Sequence, residues 1–298
     1  MLWVGRLGTL FEGLVDDAAV FPPGDAPVAE AVRRHLDHQA SWYADLVGPL
    51  VVPDMRLAEV SRAVTAADAA DQLAVSVVNT GGAGGLLAVA RRELPGVRVV
   101  SVEAALRDLD NLTGSAARVI AAAAELDPDV AVFVEIPFQR GWIGAVEEIE
   151  AAGLLGKIRI GGPDRDAVPA PDQLAEQLSE LIEADLGFKA TAGLPRAWPH
   201  QGQSRQAQTS SDHGFLTVLL AIKVLIDGAG TAEAAELLRL EDRERIVTAL
   251  SGWDAATEDR VRRRFRSFGC CRVTGPVDDL VALGLLSETI SGPDERTT

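Results

Sequence analysis

The hydrophobic positions of this chain fall into short apolar runs that alternate with longer segments of helical periodicity. Apolar runs of about four to eight residues bounded by glycine, proline or aspartate are typical of buried strands. The segments between them carry apolar residues at the spacing of an amphipathic helix. The predicted strands lie at residues 14–21, 50–53, 73–78, 97–103, 130–136, 157–160, 186–191 and 264–271.

This alternation predicts an α/β fold, and the number of strands predicts its architecture. Strands that are apolar on both faces and separated by helices are typical of a parallel sheet, and eight of them close a (β/α)8 TIM barrel. An open doubly wound sheet is the alternative, but no strand opens a dinucleotide-binding fingerprint. We predict one domain over residues 1–290, followed by a disordered tail at 291–298. Residues 195–212 form a long, polar, aperiodic loop, which is typical of a mobile lid.

Composition and charge narrow the classes of partner. The net charge of −16 over 298 residues leaves no basic stripe for a polyanion, so we expect no nucleic-acid partner. The sequence shows no signal peptide and no apolar run long enough to span a membrane, so we expect a cytoplasmic protein. The two cysteines, at 270 and 271, are adjacent and suit neither a disulfide nor a zinc site. We expect a small-molecule substrate as the partner. The sequence does not decide between a monomer and a homo-oligomer.

Lysine is rare in this chain, and one lysine lies inside an apolar strand. Lysine occurs only at 157, 189 and 223, so arginine supplies nearly all the positive charge. In the seventh predicted strand, Lys189 alternates with the apolar residues that suit the helix-facing side, so we expect it to point into the barrel. Burial lowers the pKa of an amine, which makes it a nucleophile towards carbonyls. A strand-end lysine that reaches solvent or closes a salt bridge is the structural alternative.

Strand phase places three more charged residues in the same interior region. The alternation of the fourth, fifth and sixth strands directs Glu103, Glu135 and Arg159 inward, near Lys189. Buried charges are costly unless paired, so such a group is either a salt-bridge network or a site. We expect Arg159 to favour the neutral amine and to hold a substrate carboxylate or phosphate, while Glu103 and Glu135 move protons. Lys157 begins the sixth predicted strand, so we expect it at the opposite end of the barrel from these residues.

Other polar residues at strand ends are candidates for binding substrate. They are Asp54, Asn79, Thr191 and His213. Asn79 precedes a glycine-rich loop at 80–85, and His213 follows the polar loop. A metal ion held by Asp16, Asp54, Glu103 or Glu135, with His213, is the alternative, although no His-x-His or His-Glu-x-x-His pattern supports it. We therefore predict no metal and no cofactor. His35 and His38 fall on a predicted surface helix and are expected to have no chemical role.

Two resemblances bear on function. The stretch Lys-Ala-Thr-Ala-Gly at 189–193 resembles the Lys-Thr-Ser-Thr-Gly signature of the deoxyribose-phosphate aldolase family, whose members are barrels with a Schiff-base lysine. That family has a second lysine on the following strand, whereas the last predicted strand here has none. The stretches Asp-Asp-Ala-Ala-Val-Phe-Pro-Pro, Lys-Ile-Arg-Ile-Gly-Gly, Gly-Phe-Lys-Ala-Thr-Ala-Gly and Asp-Asp-Leu-Val-Ala-Leu-Gly-Leu-Leu are similar to a family of uncharacterised bacterial proteins.

Together these features predict a class I aldolase-like lyase that acts on a small, anionic carbonyl substrate through Lys189. A metal-dependent barrel hydrolase or isomerase that uses strand-end carboxylates is the first alternative. A non-catalytic barrel that binds a small molecule is the second.

Overall fold

Eight parallel strands form the centre of the molecule. The computed structural model describes residues 8–69, 71–162, 168–201 and 211–288. The barrel strands are β1 (Val15–Asp17), β2 (Val47–Pro53), β3 (Leu73–Asn79), β4 (Val97–Ala105), β5 (Ala131–Glu135), β6 (Leu155–Arg159), β7 (Phe188–Thr191) and β10 (Phe265–Cys270). Each strand pairs with its neighbour in sequence, and β10 lies between β7 and β1, which closes the sheet. The prediction of a single-domain (β/α)8 barrel is confirmed, with the last strand where it was expected.

Helices cover the outside of the sheet. They are α1 (Val28–Gln39), α2 (Leu57–Ala66), α3 (Gly82–Ala90), α4 (Leu112–Ala123), α5 (Trp142–Ala151), α6 (Pro171–Glu183), α7 (Phe215–Ile226), α8 (Thr231–Leu238), α9 (Arg243–Ser251), α10 (Ala255–Arg264) and α11 (Thr274–Ala282). Short 3-10 turns lie at Ala44–Leu46 and Asp54–Arg56. In the described part of the chain, no helix has both the length and the apolar character needed to cross a bilayer.

The core lies mainly between the sheet and the helices, as strand phase requires. Val132 and Val134 of β5, and Phe188 and Ala190 of β7, are buried on the helix-facing side. Phe188 meets Phe265 of β10 edge to face, with ring centroids 5.7 Å apart. Because these apolar residues pack against helices, the alternate residues of the same strands point into the barrel.

The structure departs from the predicted elements after β7. The helical periodicity of residues 232–250 predicts one helix, but α8 ends at Leu238 and α9 begins after Asp242, whose side chain accepts a hydrogen bond from the Arg245 amide. α10 was not predicted, because it carries few apolar residues. It begins after Asp254, which caps it by accepting from the Thr257 amide. The chemistry of a capping aspartate marks both helix starts better than periodicity does.

The predicted lid is only partly described. Of residues 195–212, positions 202–210 lie outside the described residues, as does the predicted tail at 291–298. The two described ends pair as an antiparallel ribbon of β8 (His200–Gln201) and β9 (Ser211–Asp212). Arg196 is fixed to Asp279 of α11 through two hydrogen bonds of 2.8 and 2.6 Å. The base of this segment is therefore anchored to the barrel, and its role as a lid stays a prediction.

Candidate functional site

Six charged side chains form a connected group inside the barrel and towards its carboxyl-terminal mouth. We call it the ion-pair cluster, and its members are Asp16, Glu103, Glu135, Lys157, Arg159 and Lys189. Five different strands, β1, β4, β5, β6 and β7, supply them. The three cations and three carboxylates balance, so the cluster carries no net charge when every member is ionised.

Lys189 lies at the buried end of this cluster. Its side chain is 2% exposed, and its Nζ donates to Glu103 Oε1 at 2.7 Å and to a carboxylate oxygen of Asp16. The ring of Phe133 lies on another side, with its centroid 5.1 Å from Nζ. The inward orientation of Lys189 and Glu103 agrees with their strand phase. The nearest anions are Glu103 and Asp16, however, and Arg159 is not among the groups that contact the amine.

Lys157 belongs to the same cluster, which corrects its expected position at the far end of the barrel. It is the register partner of Lys189 on β6, and its Nζ lies 2.7 Å from Glu103 Oε2 and 2.8 Å from Glu135 Oε2. β6 begins at Leu155, two residues earlier than expected, so Lys157 lies in the middle of the strand. It also shares the inward phase of Arg159. The cluster therefore contains two amines that share one carboxylate.

Hydroxyl groups and one glycine fix the two most buried carboxylates. Ser267 of β10 donates to Asp16 Oδ2 at 2.9 Å, and Ser76 of β3 donates to Glu103 Oε1 at 3.1 Å. Gly48 of β2 faces Asp16, and a Cβ there would lie only 2.3 Å from Asp16 Oδ1. The absence of a side chain at Gly48 thus provides the space that the Asp16 carboxylate occupies.

The pKa values of the three carboxylates differ because their partners differ. Burial disfavours the ionised form of Glu103, but the two lysines outweigh it and lower its pKa to about 2. Burial of Glu135 is likewise outweighed, by Lys157 and then Arg159, so its pKa is lowered. For Asp16, burial outweighs the attraction of Lys189, and its pKa is raised. Asp16 is therefore the member of the three that most readily accepts a proton.

The expected neutral amine is not the resting state of Lys189. Burial alone would lower the pKa of Lys189, but the charges and hydrogen bonds of Asp16 and Glu103 outweigh burial and raise it above the ordinary value. The expectation that Arg159 favours the neutral amine was wrong, because two carboxylates, rather than a guanidinium, surround Nζ. The surroundings of Nζ therefore favour the protonated amine.

Arg159 and Thr191 lie side by side at the rim of the cluster. They are register partners at the ends of β6 and β7, and the Arg159 side chain is 51% exposed. Its Nε lies 3.3 Å from Glu135 Oε1. Among the described residues, its two Nη groups make no hydrogen bond. They remain available to an anion that enters from the mouth.

The backbone geometry requires the glycine that ends the Lys-Ala-Thr-Ala-Gly stretch. Gly193 has a φ of +76°, and a Cβ there would lie 2.3 Å from the carbonyl oxygen of Ile160. Gly161, in the loop after β6, approaches the Gly193 backbone equally closely. The loops that follow β6 and β7 therefore pack backbone against backbone beside the rim, which only glycine permits.

Three other predicted binding residues have local partners away from the cluster. Asn79 holds the start of the glycine-rich loop, since it donates to the Gly82 carbonyl and accepts from the Gly81 amide. Asp54 accepts from the hydroxyl and amide of Thr80. His213 Nε2 lies 2.8 Å from the carbonyl oxygen of Pro169. The partners named here are not members of the ion-pair cluster, and the predicted role of these residues in binding stays a prediction.

The carboxylates proposed for a metal ion are not assembled around one point. Asp54 is bound to the Thr80 loop, whereas Asp16 and Glu103 both bind the ammonium of Lys189. Within residues 8–69, 71–162, 168–201 and 211–288, no three histidine, cysteine or carboxylate side chains are grouped to hold a metal ion.

A buried pair beside the cluster was missed by sequence reasoning. His35 was expected on a surface helix face, but it is fully buried, and its Nδ1 lies 3.0 Å from Asp17 Oδ2. Asp17 follows Asp16 in β1 and points outward, so the pair ties β1 to α1 from the side opposite the cluster. The signal in the sequence was the spacing of His35 with Val28, Ala31 and Val32, the buried face of α1.

Comparison with known proteins gives distant likenesses alone. No family model and no curated protein matches the chain. Yersinia pestis DHPS shares 13% identity at a TM-score of 0.41, over 92% of this chain and 94% of that chain. Xanthomonas albilineans dihydropteroate synthase shares 17% at 0.40, over 92% of each chain. A Coccidioides immitis chain designated as a fructose-1,6-biphosphate aldolase shares 10% at 0.34, over 93% and 88%. These likenesses are too distant to carry an argument about activity.

Proposed function

We propose that this barrel is an enzyme that forms a Schiff base between Lys189 and a small anionic carbonyl compound, and that it acts as a lyase of the class I aldolase type. One observation carries the proposal. The Lys189 amine lies inside the barrel between two buried carboxylates, and one of these, Asp16, has a raised pKa while the other, Glu103, has a lowered one.

This asymmetry supplies a route to the neutral amine. Transfer of a proton from Lys189 Nζ to Asp16 gives an amine and a carboxylic acid, and the net charge of the site does not change. Glu103 stays ionised. A transfer between neighbours in a buried site needs no counter-ion from solvent, so it avoids the main cost of neutralising a buried ammonium.

The covalent step then balances within the cluster. The amine nitrogen bonds to the substrate carbonyl carbon, and one proton moves from nitrogen to oxygen to give a carbinolamine. The hydroxyl group leaves as water with the proton held by Asp16, which leaves an iminium ion and a carboxylate. Cleavage of the carbon–carbon bond moves its electron pair into the iminium as an enamine, and a carboxylate such as Glu103 or Glu135 takes the β-hydroxyl proton.

Arg159 sets the charge of the expected substrate. It lies at the rim with its Nη groups available, and it is the partly exposed cation of the cluster. A guanidinium binds a carboxylate or phosphate through two parallel hydrogen bonds. We therefore infer a substrate with one such group and a carbonyl that reaches the amine below. The predicted roles of Thr191, Asn79, Asp54 and His213 in binding remain proposals.

Lys157 is the second candidate for the covalent amine. Both lysines bind the buried Glu103, but the second partner of Lys157 is Glu135, which is 23% exposed, whereas the second partner of Lys189 is the buried Asp16. If Lys157 forms the covalent bond, Lys189 becomes the cation that polarises Glu103.

Borohydride trapping with mass mapping tests both assignments. The protein is incubated with small aldehydes and ketones that carry phosphate or carboxylate, and with neutral compounds of the same length, and is then reduced and digested. Lys223 is the internal control, because its side chain is 32% exposed on α7 and would react first in non-specific labelling. We expect labelling at Lys189 that favours the anionic compounds, and this preference should vanish in Arg159→Gln. Labelling at Lys157 supports the second assignment, and labelling at Lys223 alone or nowhere contradicts both.

A further inference from the structure

A second charged region lies at the end of the barrel opposite the mouth. A cleft of about 600 Å³ opens where α10 ends and β10 begins. Its lining residues are Thr9, Glu12, Ala256, Asp259, Arg260, Arg262, Arg263 and Arg266. We call it the arginine cleft. Four guanidinium groups face two carboxylates there, in a chain whose net charge is −16.

Most of this positive charge is not neutralised locally. Arg260 pairs with Asp227 outside the cleft, at 3.1 Å. Arg262 donates only to main-chain carbonyl oxygens, those of Phe265 and Glu12. Throughout the described part of the chain, Arg262, Arg263 and Arg266 form no ion pair with a carboxylate.

The arginines also disfavour one another. Burial is the main cause that lowers the pKa of Arg262 to about 10; the charges of Asp16 and Glu12 oppose it, and the charge of Arg266 adds to it. Burial, and then Arg263, lower the pKa of Arg266. A group of cations that lowers the pKa of its own members is stabilised by an anion placed among them.

The lining selects the kind of anion. It contains no aromatic ring and no large apolar side chain, so it offers nothing for a nucleobase or a hydrocarbon to pack against. The guanidinium group matches phosphate oxygens through paired hydrogen bonds. The volume falls within the range of small-molecule sites.

We propose that the arginine cleft is a binding site for a small diphosphate or oligophosphate, separate from the ion-pair cluster. Arg262, Arg263 and Arg266 supply the guanidinium groups. The site lies at the amino-terminal ends of the strands, while Arg159 and the mouth lie at their carboxyl-terminal ends. The proposal does not depend on the Schiff-base chemistry.

Titration calorimetry with inorganic tripolyphosphate at low salt tests it. We expect one site per chain that persists in Arg159→Gln, a variant that removes the anion-binding group proposed at the mouth. Arg263→Gln combined with Arg266→Gln should weaken binding about ten-fold or more, because each lost charged hydrogen bond accounts for about that factor. The matched control combines Arg33→Gln with Arg118→Gln, which removes the same charge from exposed surface pairs elsewhere. This control should change the affinity by less than about three-fold, because screened surface charges contribute little.

Several results would overturn the proposal. One is the absence of binding to the parent, and another is an equal loss of affinity in the control, which would mean attraction by net charge alone. Citrate serves as a tricarboxylate comparator, and equal affinity for citrate would contradict a phosphate site. Arg263 and Arg266 are exposed over much of their side chains, although the Arg266 guanidinium is partly desolvated, so their replacement should leave the circular dichroism spectrum and melting curve of the free protein unchanged. A third variant, Arg263→Lys with Arg266→Lys, keeps the charge, and binding as tight as the parent's would contradict recognition by the guanidinium fork.

Discussion

Lys157 and Lys189 are register partners on neighbouring strands, and Glu103 lies between their amines. One carboxylate oxygen is 2.7 Å from Lys157 Nζ, and the other is 2.7 Å from Lys189 Nζ. Both ammonium groups therefore depend on a single buried anion.

Replacing Glu103 by glutamine should destabilise the protein more than any replacement of a surface glutamate. The change leaves two buried ammonium groups with one carboxylate partner each, and breaking a buried ion pair costs about 3–5 kcal/mol. Urea denaturation measures the loss of unfolding free energy. Glu147→Gln, on the exposed face of α5, is the matched control and should cost less than about 0.5 kcal/mol. A similar loss in both variants would mean that Glu103 contributes little to stability.

Glu103→Gln should also change how the free energy of unfolding depends on pH in acid. The pKa of Glu103 in the folded protein is about 2, below its ordinary 4.5, so its ionisation stabilises the fold above 4.5 and this contribution is lost as the pH falls towards 2. Asp16 acts with the opposite sign, because its raised pKa favours proton uptake by the folded state. We expect Glu103→Gln to flatten the fall in stability between pH 4.5 and about 2. An unchanged slope in that range would contradict the lowered pKa.

The barrel and much of the cluster could be predicted from hydrophobic phase. In β5 to β7 the helix-facing residues are apolar, so Glu135, Arg159 and Lys189 could be assigned to the interior without any knowledge of their contacts. The phase of β4 was less decisive for Glu103, which shares it with Val99 and Ser101. Phase says which side of the sheet a residue faces. It does not say which side chains touch across the barrel, because those contacts depend on strand register and stagger.

Asp16 and Lys157 are the two members of the cluster that strand phase did not identify. β1 has only three residues, two of them aspartates, so no apolar alternation distinguishes Asp16, which faces inward, from Asp17, which faces α1. Lys157 was not included in the predicted cluster, because its strand was predicted to begin at residue 157 and its position along the barrel axis was judged from that start. The pKa of Lys189 could not be predicted because Asp16 and Glu103 determine it. Of these two carboxylates, only Glu103 had been assigned to the interior of the barrel.

A double-mutant cycle should detect coupling between Lys189 and Asp16. Lys189→Met leaves two buried carboxylates facing each other and should cost about 3–5 kcal/mol. Adding Asp16→Asn restores the charge balance, so the double variant should be more stable than the sum of the single losses by about 1–3 kcal/mol. The control cycle uses Lys223 of α7 and Asp227, which follows the end of α7; they form a partly exposed pair with charged atoms 2.7 Å apart, and their coupling should stay below about 1 kcal/mol. Additive losses at Lys189 and Asp16 would contradict the contact.

Gly48→Ala tests whether a missing side chain makes room for the site. A Cβ at Gly48 would lie 2.3 Å from Asp16 Oδ1, so the carboxylate must move away from Lys189 and Ser267. We expect a loss of about 1–3 kcal/mol, as for an overpacked core, and a changed Asp16 titration in carboxyl ¹³C NMR. Gly84→Ala is the control, because a Cβ there meets nothing within 4 Å, and alanine should stabilise α3 by about 0.5–1 kcal/mol. Parent-like stability and titration in Gly48→Ala would mean that Asp16 is not confined there.

His35→Ala should weaken the attachment of β1 to α1. The imidazole is fully buried, its Nδ1 lies 3.0 Å from Asp17 Oδ2, and its removal leaves that carboxylate with the Ala19 amide as its hydrogen-bond donor among the described residues. An unsatisfied buried acceptor together with the cavity should cost about 2–4 kcal/mol in unfolding free energy. His38→Ala, on the same helix, removes a half-buried ring that contacts the Tyr43 hydroxyl, and it should cost less than about 1.5 kcal/mol.

A conservative variant separates the hydrogen bond of His35 from its volume. In His35→Asn the side-chain amide can donate to Asp17 from nearly the position of Nδ1, so part of the lost stability should return although the ring is absent. Because Asp16 and Asp17 are adjacent in β1, release of Asp17 should also disturb Asp16 and shift its titration, and asparagine should reverse that shift. If alanine and asparagine are equally destabilising and neither changes the Asp16 titration, His35 fills space in the core and does not position the strand.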